Sequence, residues 1–528
     1  MEHILNEPFD LEQAYQAGMK IKDGHALLQA ENPMESLAYL IDASEGLNRE
    51  QGLKHSILLG EELFKLEDFD KKNEPLLHYF MANAWFGLEK SNEKWVWEHT
   101  GLEKQIIHLR KSIIHKNFFN IDPIRQCQIF TNLGNKFSSL GRFVEAQSYW
   151  DQALEIIPSF GMALASKSEG LYYIANTLFD EGHRPFFYKE ALKNIKKVFL
   201  PTSFPIELHM EEHITDFFIK FSTWMEQYGP LKKIGAIQYS LGNTREEKEY
   251  REWCLINRLF VNPLNDLGPY PLASRDCLTA PTIEVKEGEG PFFHGMFDQL
   301  KQEFISARFL YYEGVTSAQP SFSDREVTLY NTRDYPSYGL NIEKVRIAFR
   351  SCYSIFDKIS YFLNEYLNLG FPQDKVTFRN LWYKKMQRKK GLCSAFLARK
   401  NWPFRGLFWL SKDLFEEREG FREHLEPDAK DWQNIRNFLE HKYFKLHEDD
   451  WALCEMDYRA SHDWKGKFTF SMYRTEFEEK TLKLLKLARA ALIYLSLGIS
   501  VEEISKKNEA PKERIQMNLD IWEDDWKY

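Results

Sequence analysis

Along most of the chain apolar residues recur at spacings of three and four, the signature of amphipathic helices. The longest run starts at Asn341, where Val345, Ala348, Cys352, Ile355, Ile359, Phe362 and Tyr366 share one continuous face. Further helices are predicted from Phe292, over Arg405–Glu417, over Asp428–Leu446 and over Glu476–Gly498. Between the last two, residues 451–473 hold two strand-like runs, read as a small β-hairpin insertion. These elements predict a bundle of four or five helices, within an all-α chain apart from that insertion.

The N-terminal half shows shorter helical segments. Residues 131–160 read TNLGNKFSSLGRFVEAQSYWDQALEIIPSF. Two amphipathic stretches are split by LGRF, and the second stops at Pro158. Small residues at Gly134, Ala146 and Ala153 allow close approach of two helices, with Leu133, Phe137, Phe143, Trp150 and Leu154 filling the space between. With Gly141 at the turn, this pattern resembles a tetratricopeptide repeat, a helix-turn-helix unit of about 34 residues. Met81–Leu88 and Met162–Ala175 read as degenerate neighbours. One unit cannot bury its apolar face alone, so a stacked solenoid is expected to about residue 265. The expected division is a repeat domain over 1–266, a Pro- and Gly-rich linker over 267–291 and a helical bundle over 292–528. A solenoid presents a concave surface to a partner; a purely structural helical stack is the alternative.

The composition fits a folded globular chain: 43% hydrophobic, 15% aromatic and a net charge of −9. The six cysteines form no CxxC pair, which speaks against a disulfide framework or a thiolate zinc site. The N-terminal MEHILNEPFD lacks the basic-then-apolar run of a signal peptide. No apolar stretch approaches the roughly 20 residues of a spanning helix. A soluble, cytoplasmic protein with no membrane partner is expected.

The charge is unevenly spread. From Lys375 to Arg405 stand ten basic residues and no acid, among them Lys384, Lys385, Arg388, Lys389 and Lys390. Phe378, Trp382, Tyr383 and Trp402 are interleaved with them. Cations for phosphates and aromatic faces for unstacked bases are what hold single-stranded nucleic acid. The strip, with Trp382 and Tyr383 as stacking rings, is therefore read as an RNA-binding surface. The plain alternatives are a solvated loop or a surface that meets an acidic patch elsewhere.

On the helix expected from Asp428, the stretch IRNFLEHKY carries Arg436, Asn437, Glu440 and His441. At about 100° per residue Asn437 and His441 lie close together, whereas Arg436 and His441 stand about 140° apart. An Arg436–Glu440 ion pair is the bland reading, in the poorer i,i+4 order. The catalytic one uses His441 to move protons at a ribose 2′-hydroxyl or a leaving 5′-oxygen. Arg436 holds the phosphate, and Asn437 orients His441 or holds the same phosphate. A second His pair, His209 and His213 in HMEEH, fits a zinc-peptidase pattern. It lacks a third ligand and reads as a solvated helix face.

Arg436-Asn437-x-x-x-His441 matches the R-x(4–6)-H motif of the HEPN superfamily (higher eukaryotes and prokaryotes nucleotide-binding). NLGNKFSSLGRFVEA, FDKISYFLN, RGLFWLSKDLFE and IRNFLEHKYFK together resemble a bacterial family in which such a domain follows a tetratricopeptide-like array. The resemblance implies a metal-independent endoribonuclease without cofactor, with Arg436, Asn437 and His441 catalytic. It implies a homodimer whose two motifs face one another, placing Arg436 of one chain near His441 of the other. It also implies cleavage of tRNA or other cellular RNA by a toxin or anti-phage (abortive infection) effector, triggered through the repeat domain by a protein or phage component. A non-catalytic adaptor binding protein or nucleotide is the alternative. The basic insertion and the segment 451–475 have no counterpart in a minimal bundle of this family.

Overall fold

The structure, a computed structural model, describes residues 10–89, 95–206, 208–228, 239–286, 288–317, 319–332, 334–414, 425–449, 469–507, 514–517 and 519–527. The fold is mainly helical, and the described residues form two compact units.

The first unit comprises the described residues of 10–171, 191–227 and 425–427. Its helices begin with α1 (Leu11–Met19), α2 (Gly24–Leu28), α3 (Pro33–Gly46) and α4 (Glu50–Leu63). They continue with α5 (Glu74–Leu88), α6 (Thr100–Ile114), α7 (Pro123–Ser139) and α8 (Phe143–Ile156). Then come α9 (Gly161–Thr177) and α10 (Arg184–Val198), whose residues 172–177 and 184–190 are counted with the second unit, and α11 (Leu208–Gln227). From α3 to α8 each helix packs on the next. Asp10, Asp23, Asn32 and Asp122 cap helix N-termini with their side chains. Leu133, Phe137, Phe143, Ala146, Trp150 and Ala153 are all buried between α7 and α8. A methyl group on Gly134 would stand 2.6 Å from the Trp150 indole nitrogen, which explains the glycine there. Gly141 has φ +87° in the turn that reverses the chain.

The second unit holds α12 (Arg245–Ile256), α13 (Phe292–Thr316), α14 (Leu340–Tyr366), α15 (Ser394–Leu397), α16 (Trp402–Ser411), α17 (Ala429–His441) and α18 (Arg474–Lys507). All seven apolar positions expected on one face of α14 are buried. They pack on α13 and α18. α18 is the core helix, with Leu484, Ala488, Ala491, Tyr494 and Leu495 fully enclosed. By length and composition this helix is apolar enough to cross a membrane, contrary to the sequence expectation, but 89% of its apolar window is buried inside the protein.

Residues 267–291, expected to link two domains, pack within the second unit. Arg308 on α13 grips Asp276 with two 2.8 Å contacts and donates to the Leu259 carbonyl at 2.9 Å. Arg489 on α18 donates to Asp266 at 2.6 Å and to the carbonyls of Phe260 and Asn262. Both guanidiniums are buried, and each meets an acid and a carbonyl, as a desolvated charge requires. β1 (Glu284–Lys286) then pairs antiparallel with a strand over Arg514–Gln516.

The small β element expected late in the chain is present as β2 (Tyr443–His447) and β3 (Thr469–Tyr473), running parallel. The predicted helix over Asp428–Leu446 therefore stops at His441. Phe444 and Leu446 are buried, and Phe444 stacks on Phe470 of β3 and meets Phe477 of α18 edge-on. Most of the 451–473 stretch, including Cys454, lies outside the described residues. The remaining cysteines are free thiols.

Candidate functional site

α17 owes its place to one apolar seam: Ala429, Trp432, Ile435 and Leu439 are buried. Its N-terminus is clamped to α18. Asp428 accepts from Lys480 at 2.7 Å and Lys483 at 2.8 Å, Asp431 pairs with Lys480 at 2.9 Å, and the Trp432 indole donates to the Lys480 carbonyl. Burial opposes ionisation of Asp428, but the two ammonium groups outweigh it and hold its carboxyl below the usual carboxylate range.

With one side fixed, the polar residues take the other. Asn437, Glu440 and His441 are exposed and Arg436 is half-buried. Arg436 does not take Glu440. It turns to α14, where its guanidinium lies 4.7 Å from the centre of the Tyr353 ring and 3.6 Å from the Asp357 carboxylate. Glu440 meets Arg350 of α14 at 3.3 Å, and Arg350 also donates to the Leu439 carbonyl at 2.6 Å. Arg346 donates to the Phe444 carbonyl at 3.1 Å. Arg346, Arg350, Tyr353 and Asp357 are spaced four, three and four apart, one stripe of α14 facing α17 and β2. Sequence reasoning followed only the apolar face of α14 and passed over this stripe, although its spacing was readable.

Asp357 has a second duty. Its other carboxylate oxygen accepts from the Phe378 backbone at 3.2 Å, so the residue that meets Arg436 also fastens the start of the basic strip. That strip is a rooted loop. Trp382 and Phe378 are buried, and the Trp382 indole donates to the Phe378 carbonyl at 2.7 Å. Cys393 N–H donates to the Trp382 carbonyl and Lys384 N–H to the Gly391 carbonyl, closing a narrow neck. Beyond it Lys384, Lys385, Lys389 and Lys390 are exposed and Arg388 is half-buried. Lys385 and Met386 adopt φ +52° and +56°, an uncommon backbone for side-chain-bearing residues.

This corrects the aromatic part of the sequence reading. Trp382 is 0% and Tyr383 6% exposed, so neither ring offers a face to a base. Trp382 packs on Phe396, Phe408 and Phe378. The cations are outside, as a nucleic-acid surface needs, and the two rings are the loop's anchor. Arg405 is also buried, which pushes its guanidinium down to about 10.

Among the described residues no cluster of His, Cys, Asp and Glu could hold a metal ion. His213 faces Glu169 at 3.3 Å, and the His209 side chain lies outside the described part. An exposed imidazole can exchange protons, and an amide or a guanidinium can hold a phosphate.

No curated protein and no solved structure matches the chain. Residues 284–502, from β1 into α18, match the family model described as LA2681-like HEPN, a span that includes the basic loop, Arg436, Asn437 and His441. The C-terminal part of this chain carries a HEPN superfamily domain.

Proposed function

We propose that the protein is a metal-independent endoribonuclease that cleaves RNA by attack of a ribose 2′-oxygen on the adjacent phosphorus. The P–O5′ bond breaks, leaving a 2′,3′-cyclic phosphate and a 5′-hydroxyl. His441 moves the proton at one of these two oxygens, Arg436 offsets the charge on the phosphate and Asn437 orients His441 or the phosphate. The observation that carries this reading is the exposed Asn437–His441 face of α17, the helix that also carries Arg436, inside the span that matches a HEPN model. Lys384, Lys385, Arg388, Lys389 and Lys390 draw the polyanion in.

Arg436 leans on α14 while His441 stands at the exposed end of α17, in keeping with their angular separation. Two copies paired through this domain bring Arg436 of one to His441 of the other. In this reading the N-terminal helices form a tetratricopeptide-like array that receives a protein or phage trigger. The whole acts as a toxin or anti-phage effector on tRNA or other cellular RNA.

The Arg436–Asp357 contact favours a second reading, in which Arg436 is structural and the domain a non-catalytic binding module. Purified chain incubated with total RNA in EDTA separates them. Cleavage with 2′,3′-cyclic phosphate ends, lost in His441→Ala while helicity and melting temperature are kept, supports the nuclease. Equal cleavage by parent and variant removes His441 from the chemistry; no cleavage by either leaves the binding module.

A further inference from the structure

Glu440 is a carboxylate set among groups that have to meet a phosphate, and on a helix it is a natural ion-pair neighbour of Arg436, four residues before it. The two do not pair. Glu440 meets Arg350 of α14 at 3.3 Å, while the Arg436 guanidinium stands 3.6 Å from Asp357 and 4.7 Å from the centre of the Tyr353 ring. We propose that Arg350 is a positioning residue of the candidate site: by engaging Glu440 it keeps that carboxylate off Arg436 and leaves the guanidinium for the scissile phosphate. This goes beyond the ribonuclease reading above and rests on it.

Arg350 is fixed in place by the fold. The same guanidinium donates to the Leu439 carbonyl at 2.6 Å, and a helix end leaves its last carbonyls without intrahelical partners. A cation at a helix C-terminus is also favoured by the aligned peptide dipoles. One turn earlier on α14, Arg346 donates to Glu343 at 2.6 Å and to the Phe444 carbonyl at 3.1 Å. The two arginines therefore hold the backbone on either side of His441, at Leu439 and at Phe444, and Arg350 reaches Glu440 from that frame.

The competition for Arg436 is finely balanced. Its contact with Asp357 is long for a hydrogen bond, and the other oxygen of Asp357 already accepts from the Phe378 N–H. A phosphate offers two oxygens to the planar guanidinium and can replace that contact. A Glu440 without Arg350 acts twice against this: it competes for Arg436 and it repels the incoming phosphate. The side chains of Arg350, Glu440 and Arg436 are 37%, 43% and 43% exposed, so these are partly screened charges whose effect is modest and sensitive to salt.

The test follows initial rates of cleavage of total RNA by the full-length chain in EDTA. Arg350→Gln, which removes the charge and keeps a hydrogen-bond donor, is expected to cleave about fivefold more slowly than the parent at low salt, the size of one surface ion pair. That deficit should shrink as salt is raised. Arg350→Lys, which keeps the charge, should stay close to the parent. The deciding variant combines Arg350→Gln with Glu440→Gln: with no carboxylate left to compete, cleavage should return to the parental rate. Helicity and melting temperature are followed for each variant, and Arg350→Met replaces Arg350→Gln if the latter does not fold. Parental rates in Arg350→Gln, or a double variant as slow as Arg350→Gln, overturn the proposal and leave the nuclease reading standing; the second result makes Arg350 a brace for α17 and nothing more. A parental chain that cuts no RNA overturns both.

Discussion

Asp428→Asn is the substitution that most directly probes how the candidate helix is held. The change keeps shape and one hydrogen-bond acceptor but removes the charge that meets Lys480 and Lys483 at the first turn of α17. A hydrogen bond to a charged group contributes about 1.5–3 kcal/mol. Lys480, little exposed, retains Asp431 at 2.9 Å, and Lys483 is 43% exposed and rehydrates easily. The net loss at neutral pH should therefore be about 1–2 kcal/mol, a shift of a few degrees in the melting transition of the second unit. The pH dependence is the sharper part. Asp428 has a carboxyl held below its ordinary value. Its contribution is complete above the unfolded value of about 4 and disappears as pH falls through the lower folded value. Parent and variant should thus differ fully at pH 7 and draw together as the pH falls through the acid range below the unfolded value. Thermal melts across that range read both effects. A gap that is absent at neutral pH, or that persists undiminished in acid, refutes the assignment of this carboxylate as the clamp.

Two further outcomes are expected. Gly498→Ala places a methyl 2.1 Å from the Phe404 ring carbon Cδ1, between α18 and α16, and should cost about 1–3 kcal/mol despite alanine's better helix propensity; an unchanged or raised denaturation midpoint counts against that packing. Replacing Lys384, Lys385, Lys389 and Lys390 together by alanine should leave the fold intact and flatten the salt dependence of single-strand binding by about 0.7 in log–log slope for each phosphate no longer neutralised; an unaltered slope places the RNA elsewhere.

Much of the bundle was legible because long helices write their burial into a period. Each of the seven apolar positions marked on α14 lies inside. The end of α17 was not legible, because Tyr443-Phe444-Lys445-Leu446 continues a plausible helical pattern and only the distant Thr469–Tyr473 strand makes it β. Trp382 and Tyr383 were misread for a related reason. An aromatic among lysines looks the same in sequence whether it stacks on a base or anchors a loop, and only the surrounding Phe378, Phe396 and Phe408 decide. Of the candidate site, the residues Arg436, Asn437 and His441 were readable on one helix. The contacts of Arg436 with Tyr353 and Asp357 were not, since they join positions remote in the chain.

The neck between Trp382 and Cys393 has a thermodynamic consequence. A flexible run of lysines must give up conformational freedom when a polyanion arrives, and that loss subtracts from affinity. Here the backbone between Lys384 and Gly391 is ordered by its own turns and by a tryptophan set in the core, so most of that entropy is surrendered during folding. The spacing of the cations is therefore a property of the free protein. Their number can change by surface substitution without disturbing the root, which leaves the strength of polyanion binding adjustable while the bundle beneath stays the same.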